Sequence, residues 1–150
     1  MNKRGVTLVT LSIIGAVMAI LVAAVIPTAY NTHNEVKKTK FQTEISQIEV
    51  LVANYIRRNS GNDLTSYEWE TTTLPGFDTE QFDGEIITDN KITMYIVDLK
   101  KIDAEEVNYG MLENGITDRY LYSEQTGHVY YEKGENFGGK IYYRVPELEE

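Results

Sequence analysis

Hydrophobic and polar positions along this chain fall into three successive patterns. The first runs from Val6 to Ile26, 21 residues that are mostly Val, Ile, Leu, Ala and Met, and no residue from Val6 to Asn34 carries a full charge. A bilayer core asks for about 20 helical residues, so the run has the length and polarity of a membrane-spanning helix. Thr7, Thr10 and Ser12 interrupt it only with hydroxyls, which bond back to earlier carbonyls of their own helix at modest cost. The second pattern is one-sided. Phe41, Ile45, Ile48, Val52 and Tyr55 recur at alternating steps of four and three, the stripe of an amphipathic helix. Lys37, Lys38, Lys40, Glu44, Gln47, Glu49 and Asn54 fall mainly on its other faces. Arg57 and Arg58 stand in the last turn, where cations suit the helix dipole, and Asn59-Ser60-Gly61-Asn62 stops the helix. The two patterns together predict one helix from about Val6 to about Arg58, roughly 80 Å long, kinked at Pro27.

The third pattern is that of short strands. Residues 59–84 are polar and hold Trp69, Pro75, Gly76 and Gly84, which predicts a long loop or a weakly structured subdomain. Glu85–Thr88 and Lys91–Leu99 are strand candidates flanking a turn at Asp89-Asn90, and Ile92, Met94 and Ile96 alternate with Thr93, Tyr95 and Val97. Residues 102–112 predict a short helix with Asp103 as N-cap. Arg119–Ser123 and His128–Glu132 predict a hairpin across Glu124-Gln-Thr-Gly127, and Ile141–Val145 a last strand after Gly138-Gly139. The fold class that follows is α+β: a long, kinked N-terminal helix, its inner half apolar and its outer half amphipathic, packed on a C-terminal antiparallel sheet.

Charge sharpens this division. Lys3 and Arg4 are the charges ahead of the apolar run, whereas the chain from Asn31 onward holds 12 of the 14 basic and all 23 acidic residues, a net of −11. The positive flank of an apolar run stays in the cytoplasm, so the acidic part is expected outside. An acidic surface does not suit direct binding of nucleic acid, which wants Lys and Arg on its phosphates. The absence of cysteine removes disulfides and thiol chemistry.

Familiar catalytic motifs are missing: the chain has no H-E-x-x-H, no G-x-S-x-G and no phosphate loop. The two histidines, His33 and His128, read as surface or strand residues. Asp78, Glu80, Asp83, Glu85 and Asp89 form an acidic string around Gly84, whose spacing fits a solvated loop better than a calcium loop. Tyr120, Tyr122, Tyr130, Tyr131, Tyr142 and Tyr143 fall in adjacent predicted strands, where aromatic residues serve as cross-strand partners. No enzymatic activity, catalytic residue, metal or cofactor is expected. Three readings of the apolar run stay open on these grounds: a cleaved secretory signal, for which the run is long, a plain single-pass anchor, and an inner helix continuous with the domain that follows.

Lys3-Arg4-Gly5, then Val6-Thr7-Leu8, then the long apolar run and Pro27 at the twenty-second position counted from Val6, resemble the N-terminus of type IV pilins and pseudopilins. The stretch from Tyr120 to Gly134, with Gly138-Gly-Lys-Ile-Tyr-Tyr143, is similar to the end of pilin-like proteins of Gram-positive, clostridial-type bacteria. The resemblance implies the pilin fold and four parts: a leader over 1–5, a transmembrane and filament-core helix over 6–29, the amphipathic half of the same helix over 30–58, and a globular head over 59–150. It implies cleavage between Gly5 and Val6 by a prepilin peptidase, with N-methylation of Val6 as a family trait. The partners it implies are other pilin subunits, that peptidase and an inner-membrane assembly platform. The chain would sit in the cytoplasmic membrane as a single pass, N-terminus inside, and then enter an extracellular filament. Adhesion, twitching, DNA-uptake and secretion filaments share these N-terminal features.

One departure stands out. Thr10 occupies the fifth position from Val6, where most of the family carries Glu. That carboxylate is thought to pair with the N-terminal amine of a neighbouring subunit, and Thr10 cannot offer the ion pair. The resemblance therefore implies a minor or initiating subunit. The alternative is a membrane-anchored extracellular binding domain that never polymerises.

Overall fold

The computed structural model describes residues 33–59, 63–104, 107–111 and 118–146. The apolar run, with Gly5, Val6, Thr10 and Pro27, lies outside the described residues. Among the described residues no helix is long and apolar enough to cross a membrane.

An α-helix, α1, spans 33–59 and ends at the expected place. Its stripe is buried as the spacing requires: Phe41 and Val52 are fully covered and Ile45 and Ile48 nearly so, while Tyr55 is half-buried. The architecture is α+β. Four strands form one antiparallel sheet in the order β1 (Thr65–Glu70), β2 (Lys91–Ile96), β3 (Tyr120–Tyr122) and β4 (Val129–Tyr131), and β5 (Glu135–Phe137) pairs with β6 (Lys140–Tyr142) in a second, two-stranded sheet. The Tyr131 amide donates to the Tyr143 carbonyl at 2.8 Å, which ties β4 to the chain just beyond β6.

Period-two alternation distributes the side chains of the main sheet between two apolar clusters. Tyr120, Tyr122, Val129 and Tyr131 face the stripe of α1, joined by Val97, Leu99, Ile102 and Val145. Leu121 and Tyr130 point the other way, to meet Trp69, Ile92, Met94, Phe82 and Tyr143. Strands β3 and β4 are thus buried on both faces, which explains why they read as unbroken aromatic and aliphatic runs. On the second face the segment 71–82 acts as a lid of two short 3-10 turns, Thr71–Thr73 and Thr79–Phe82. Phe82 stacks on Tyr130 at 5.0 Å and 7°, and Trp69 meets Tyr143 edge-on at 5.3 Å. Such aromatic pairs contribute about 0.5–1.5 kcal/mol beyond their buried area.

Several sequence expectations are corrected. Residues 65–70 are not part of a loop but strand β1, in register with β2 through Tyr67↔Met94 and Trp69↔Ile92. Its alternating Tyr67 and Trp69 carried the signal, which the polar flanks masked. Glu85–Thr88 is not a strand. Gln125 accepts from the Ile86 amide and donates to the Gly84 carbonyl, so side chains take the backbone groups that a ladder would need. The turn at Asp89-Asn90 does form, with φ of 52° and 61°, the left-handed pair of a tight hairpin turn. It closes only the single bridge Thr88↔Lys91 before the chain pairs with β1.

The helix expected over 102–112 is absent from the described residues of that range. Asp103 has φ 58°, the left-handed region, where an N-cap requires extended backbone. Asp98 instead accepts from the amides of Lys100 and Lys101 in a local turn. The last strand covers Lys140–Tyr142 rather than Ile141–Val145, and its partner β5 had no period-two run to announce it.

The two sides of α1 predict opposite responses. Ile48→Ala, in the stripe, should cost about 2–4 kcal/mol of stability, whereas Val50→Ala, 60% exposed, should change it by less than about 0.5 kcal/mol. Chemical denaturation of the two full-length variants beside the wild type checks this. Equal losses would mean that the stripe is not the core face.

Candidate functional site

The described residues bring together charged groups at the junction of helix and sheet. Glu44 lies three residues after Phe41 and four before Ile48, on one flank of the stripe, and Glu49 stands four after Ile45 on the other flank. Burial of the stripe therefore carries both carboxylates inward.

Glu44 is 5% exposed. Its Oε2 accepts from the Asn108 amide at 2.6 Å and from Asn108 Nδ2 at 2.8 Å, and its Oε1 accepts from the Tyr109 amide at 2.9 Å and from the Tyr120 hydroxyl. Four donors replace the water that the carboxylate gave up. Gly110 follows directly, with φ 75°, and a Cβ there would stand 2.6 Å from the Tyr120 ring, so only glycine admits the approach. Glu49 Oε1 accepts from the Val129 amide at 3.0 Å and has Arg144 Nε and His128 Nδ1 each at 3.4 Å. One helix thus holds a loop, both strands of the β3–β4 hairpin and the chain beyond β6.

Two further carboxylates serve as joints. Glu132 takes a fork from Arg119, at 2.6 Å from Nε and 3.3 Å from Nη2, and accepts from the Tyr67 hydroxyl at 2.8 Å. The Arg119 guanidinium lies 4.6 Å over the Tyr67 ring. Glu85 accepts from Ser123 Oγ at 2.7 Å, Thr126 Oγ1 at 2.5 Å and the Tyr130 hydroxyl at 3.0 Å. All these oxygens are engaged by structural donors, and the chemistry the arrangement provides is cross-linking of elements.

The acidic string is dispersed by the fold. Asp78 caps the turn at Glu80 and meets Lys140 at 2.6 Å, which holds its carboxyl below the usual range. Glu85 points into the β3–β4 hairpin, and Asp89 sits in the separate turn at Asp89-Asn90 ahead of β2. Among the described residues no group of three or more acidic or histidine side chains is placed to hold a metal ion. His33 is exposed at the start of α1.

The tyrosines split by environment. Burial raises the hydroxyl of Tyr143 to about 12. Burial and then the Glu44 contact raise Tyr120, burial and then Glu85 raise Tyr130, and burial and then Asp118 raise Tyr131. The sites Gly5, Val6, Thr10 and Pro27 lie outside the described residues.

The chain matches no family model, no curated protein and no solved structure.

Two predictions follow from the junction. Glu44→Ala leaves four donors without their acceptor and should cost about 3–5 kcal/mol, more than Tyr120→Phe at about 1.5–3 kcal/mol. Denaturation curves of the two variants decide, and a loss under about 1 kcal/mol for Glu44→Ala would contradict the assigned role. For the tyrosines, a raised folded value means stability intact below the unfolded value of about 10 and lost as pH rises above it. An alkaline titration followed by phenolate absorbance should show Tyr120, Tyr130, Tyr131 and Tyr143 ionising only together with unfolding. Smooth titration of all tyrosines near pH 10 in the folded protein would refute this.

Proposed function

We propose that this chain is a structural subunit of a type IV pilus-like filament, made as a prepilin, cut after Gly5 and built in through a helical core from Val6 to Ile26. The observation that carries the proposal is the grouping of Gly5, Val6, Thr7 and Leu8 with Pro27 at the twenty-second position from Val6. A helix over 33–59 with its stripe buried under an α+β head supports it, because a filament subunit needs its outer helix fixed to the part it displays.

The physical logic runs through two solvents. In a bilayer the apolar run is already in hydrocarbon, and helices associate by close packing of small residues such as Gly15 and Ala16. Once the helix is extracted, burial against other copies replaces the lipid. Catalysis belongs to the peptidase and to the assembly machinery.

Thr10 assigns the subunit a minor or initiating place. A lone carboxylate in hydrocarbon is costly and a cationic amine is its natural partner. Thr10 removes both the cost and the attraction. The amine of Val6 still accepts a carboxylate from the next subunit, as the first member of a filament requires.

Intact mass or N-terminal sequencing of the membrane-extracted protein tests the processing step, and a start at Val6 is expected. A start at Met1 points to the plain anchor, and a start near Val25 points to a secreted protein. Thr10→Glu should raise incorporation along the filament shaft, scored by immunogold labelling. Native protein already spread evenly along shafts at high copy would refute the minor role.

A further inference from the structure

The stripe of α1 runs out at Tyr55, but the sheet beneath it continues. Tyr95 of β2 and Tyr122 of β3 stand directly opposite each other in the register, on the helix side of the sheet. Tyr55 and Ile56 from the end of α1, Asp63 and Leu64 just ahead of β1, and Glu124 after β3 complete a cleft with them. Its volume is about 40 Å³, room for roughly three waters. That suits a small head group and excludes a sugar ring.

The cleft combines aromatic rings with negative charge. The Tyr55 hydroxyl donates to Asp63 at 3.1 Å and the Tyr95 hydroxyl to Glu124 at 3.2 Å, which holds both rings and both carboxylates in place. Lys101 meets Asp63 at 2.8 Å and offsets its charge. Glu124 has no cationic partner among the described residues. Tyr122 is 9% exposed, and among the described residues its hydroxyl has no hydrogen-bond partner. No buried side-chain oxygen of the described residues is left unpaired, so this hydroxyl is not sealed in the core. It reaches solvent, and the cleft is the opening that Tyr122 lines. A polar group so deeply set, yet open to a small aromatic hollow, marks a place for a ligand.

The walls select the chemistry of that ligand. Tyrosine faces attract cations, and a carboxylate at the rim adds to the attraction. An ordinary ammonium would also have to place three N–H donors. Asp63 Oδ2 is already taken by Tyr55 and Lys101, and the side chains of Ile56 and Leu64 offer no acceptor. A fully methylated ammonium makes no such demand, and its methyl groups pack on rings and aliphatic walls. We propose that this cleft binds a quaternary ammonium head group, held by Tyr55, Tyr95 and Tyr122 with Glu124 as its counter-charge. The site does not depend on the filament reading.

Full-length protein with ring-labelled tyrosine, in neutral maltoside micelles, is titrated with choline and followed by NMR. Shifts should appear at Tyr55, Tyr95 and Tyr122 and spare Tyr130 and Tyr143 in the cluster on the other face of the sheet. The expected Kd is about 1–10 mM. Glu124→Gln should weaken binding about fivefold and Tyr95→Leu about tenfold. Glu124 is exposed, so its variant should melt with the wild type. The uncharged tert-butyl isostere of choline, and ethanolamine, which lacks the methyl groups, should each bind at least about tenfold more weakly than choline. Phosphocholine identifies the source: tighter binding than choline assigns the head group to a lipid or polymer, and equal or weaker binding assigns it to a free solute.

No shifts up to about 50 mM choline, equal binding of the isostere or of ethanolamine, or unchanged affinity in both variants would each overturn the site. None of these results would touch the filament reading.

Discussion

A carboxylate can leave water only if the protein supplies its donors, and in this molecule that requirement ties the helix to everything else. Glu44 flanks the apolar stripe of α1, so burying the stripe without arranging donors at Asn108, Tyr109 and Tyr120 would strand a charge in the core. Hydrophobic burial alone would let the helix slide or rotate by a few degrees. The four hydrogen bonds fix one rotation and one height. Glu49 repeats the device on the opposite flank, against Val129 and Arg144. With both flanks pinned, the outward face of the helix becomes a surface of defined charge.

The sheet answers a second demand. A short hairpin is marginal by itself, and β3–β4 has three residues in each strand. Its stability comes from being sandwiched, with Tyr120, Tyr122, Val129 and Tyr131 on the helix side and Leu121 and Tyr130 on the other. Tyrosine suits such a place because the ring fills space while the hydroxyl reaches a carboxylate at the rim. Tyr120 with Glu44, Tyr130 with Glu85 and Tyr131 with Asp118 all follow this scheme. Among the described residues, the tyrosines of β3 and β4 are accounted for by cores and joints.

The sequence was legible where one period dominated. The stripe from Phe41 to Val52 gave α1 and its buried face, and the Gly127 turn gave the β3–β4 hairpin. Strand β1 was hidden because half its residues face water and its neighbours are polar. The place of Glu85–Thr88 depended on Gln125, some 40 residues away in sequence, which no local pattern reports. The junction was half visible: Glu44 and Glu49 sit at stripe spacing, a sign that a charge will be carried inward, but the donors come from far along the chain. The N-terminal features are legible only as a resemblance.

The joints of the helix also order events in time. Glu44 meets Tyr120 across 76 residues and Glu49 meets Arg144 across 95. A chain made from its N-terminus therefore exposes the helix stripe long before the groups that cover it exist. Closure of such distant contacts is slow. Helix first and head closure last is the order that the topology imposes, so the stripe of α1 is half-covered for a time before the fold is complete.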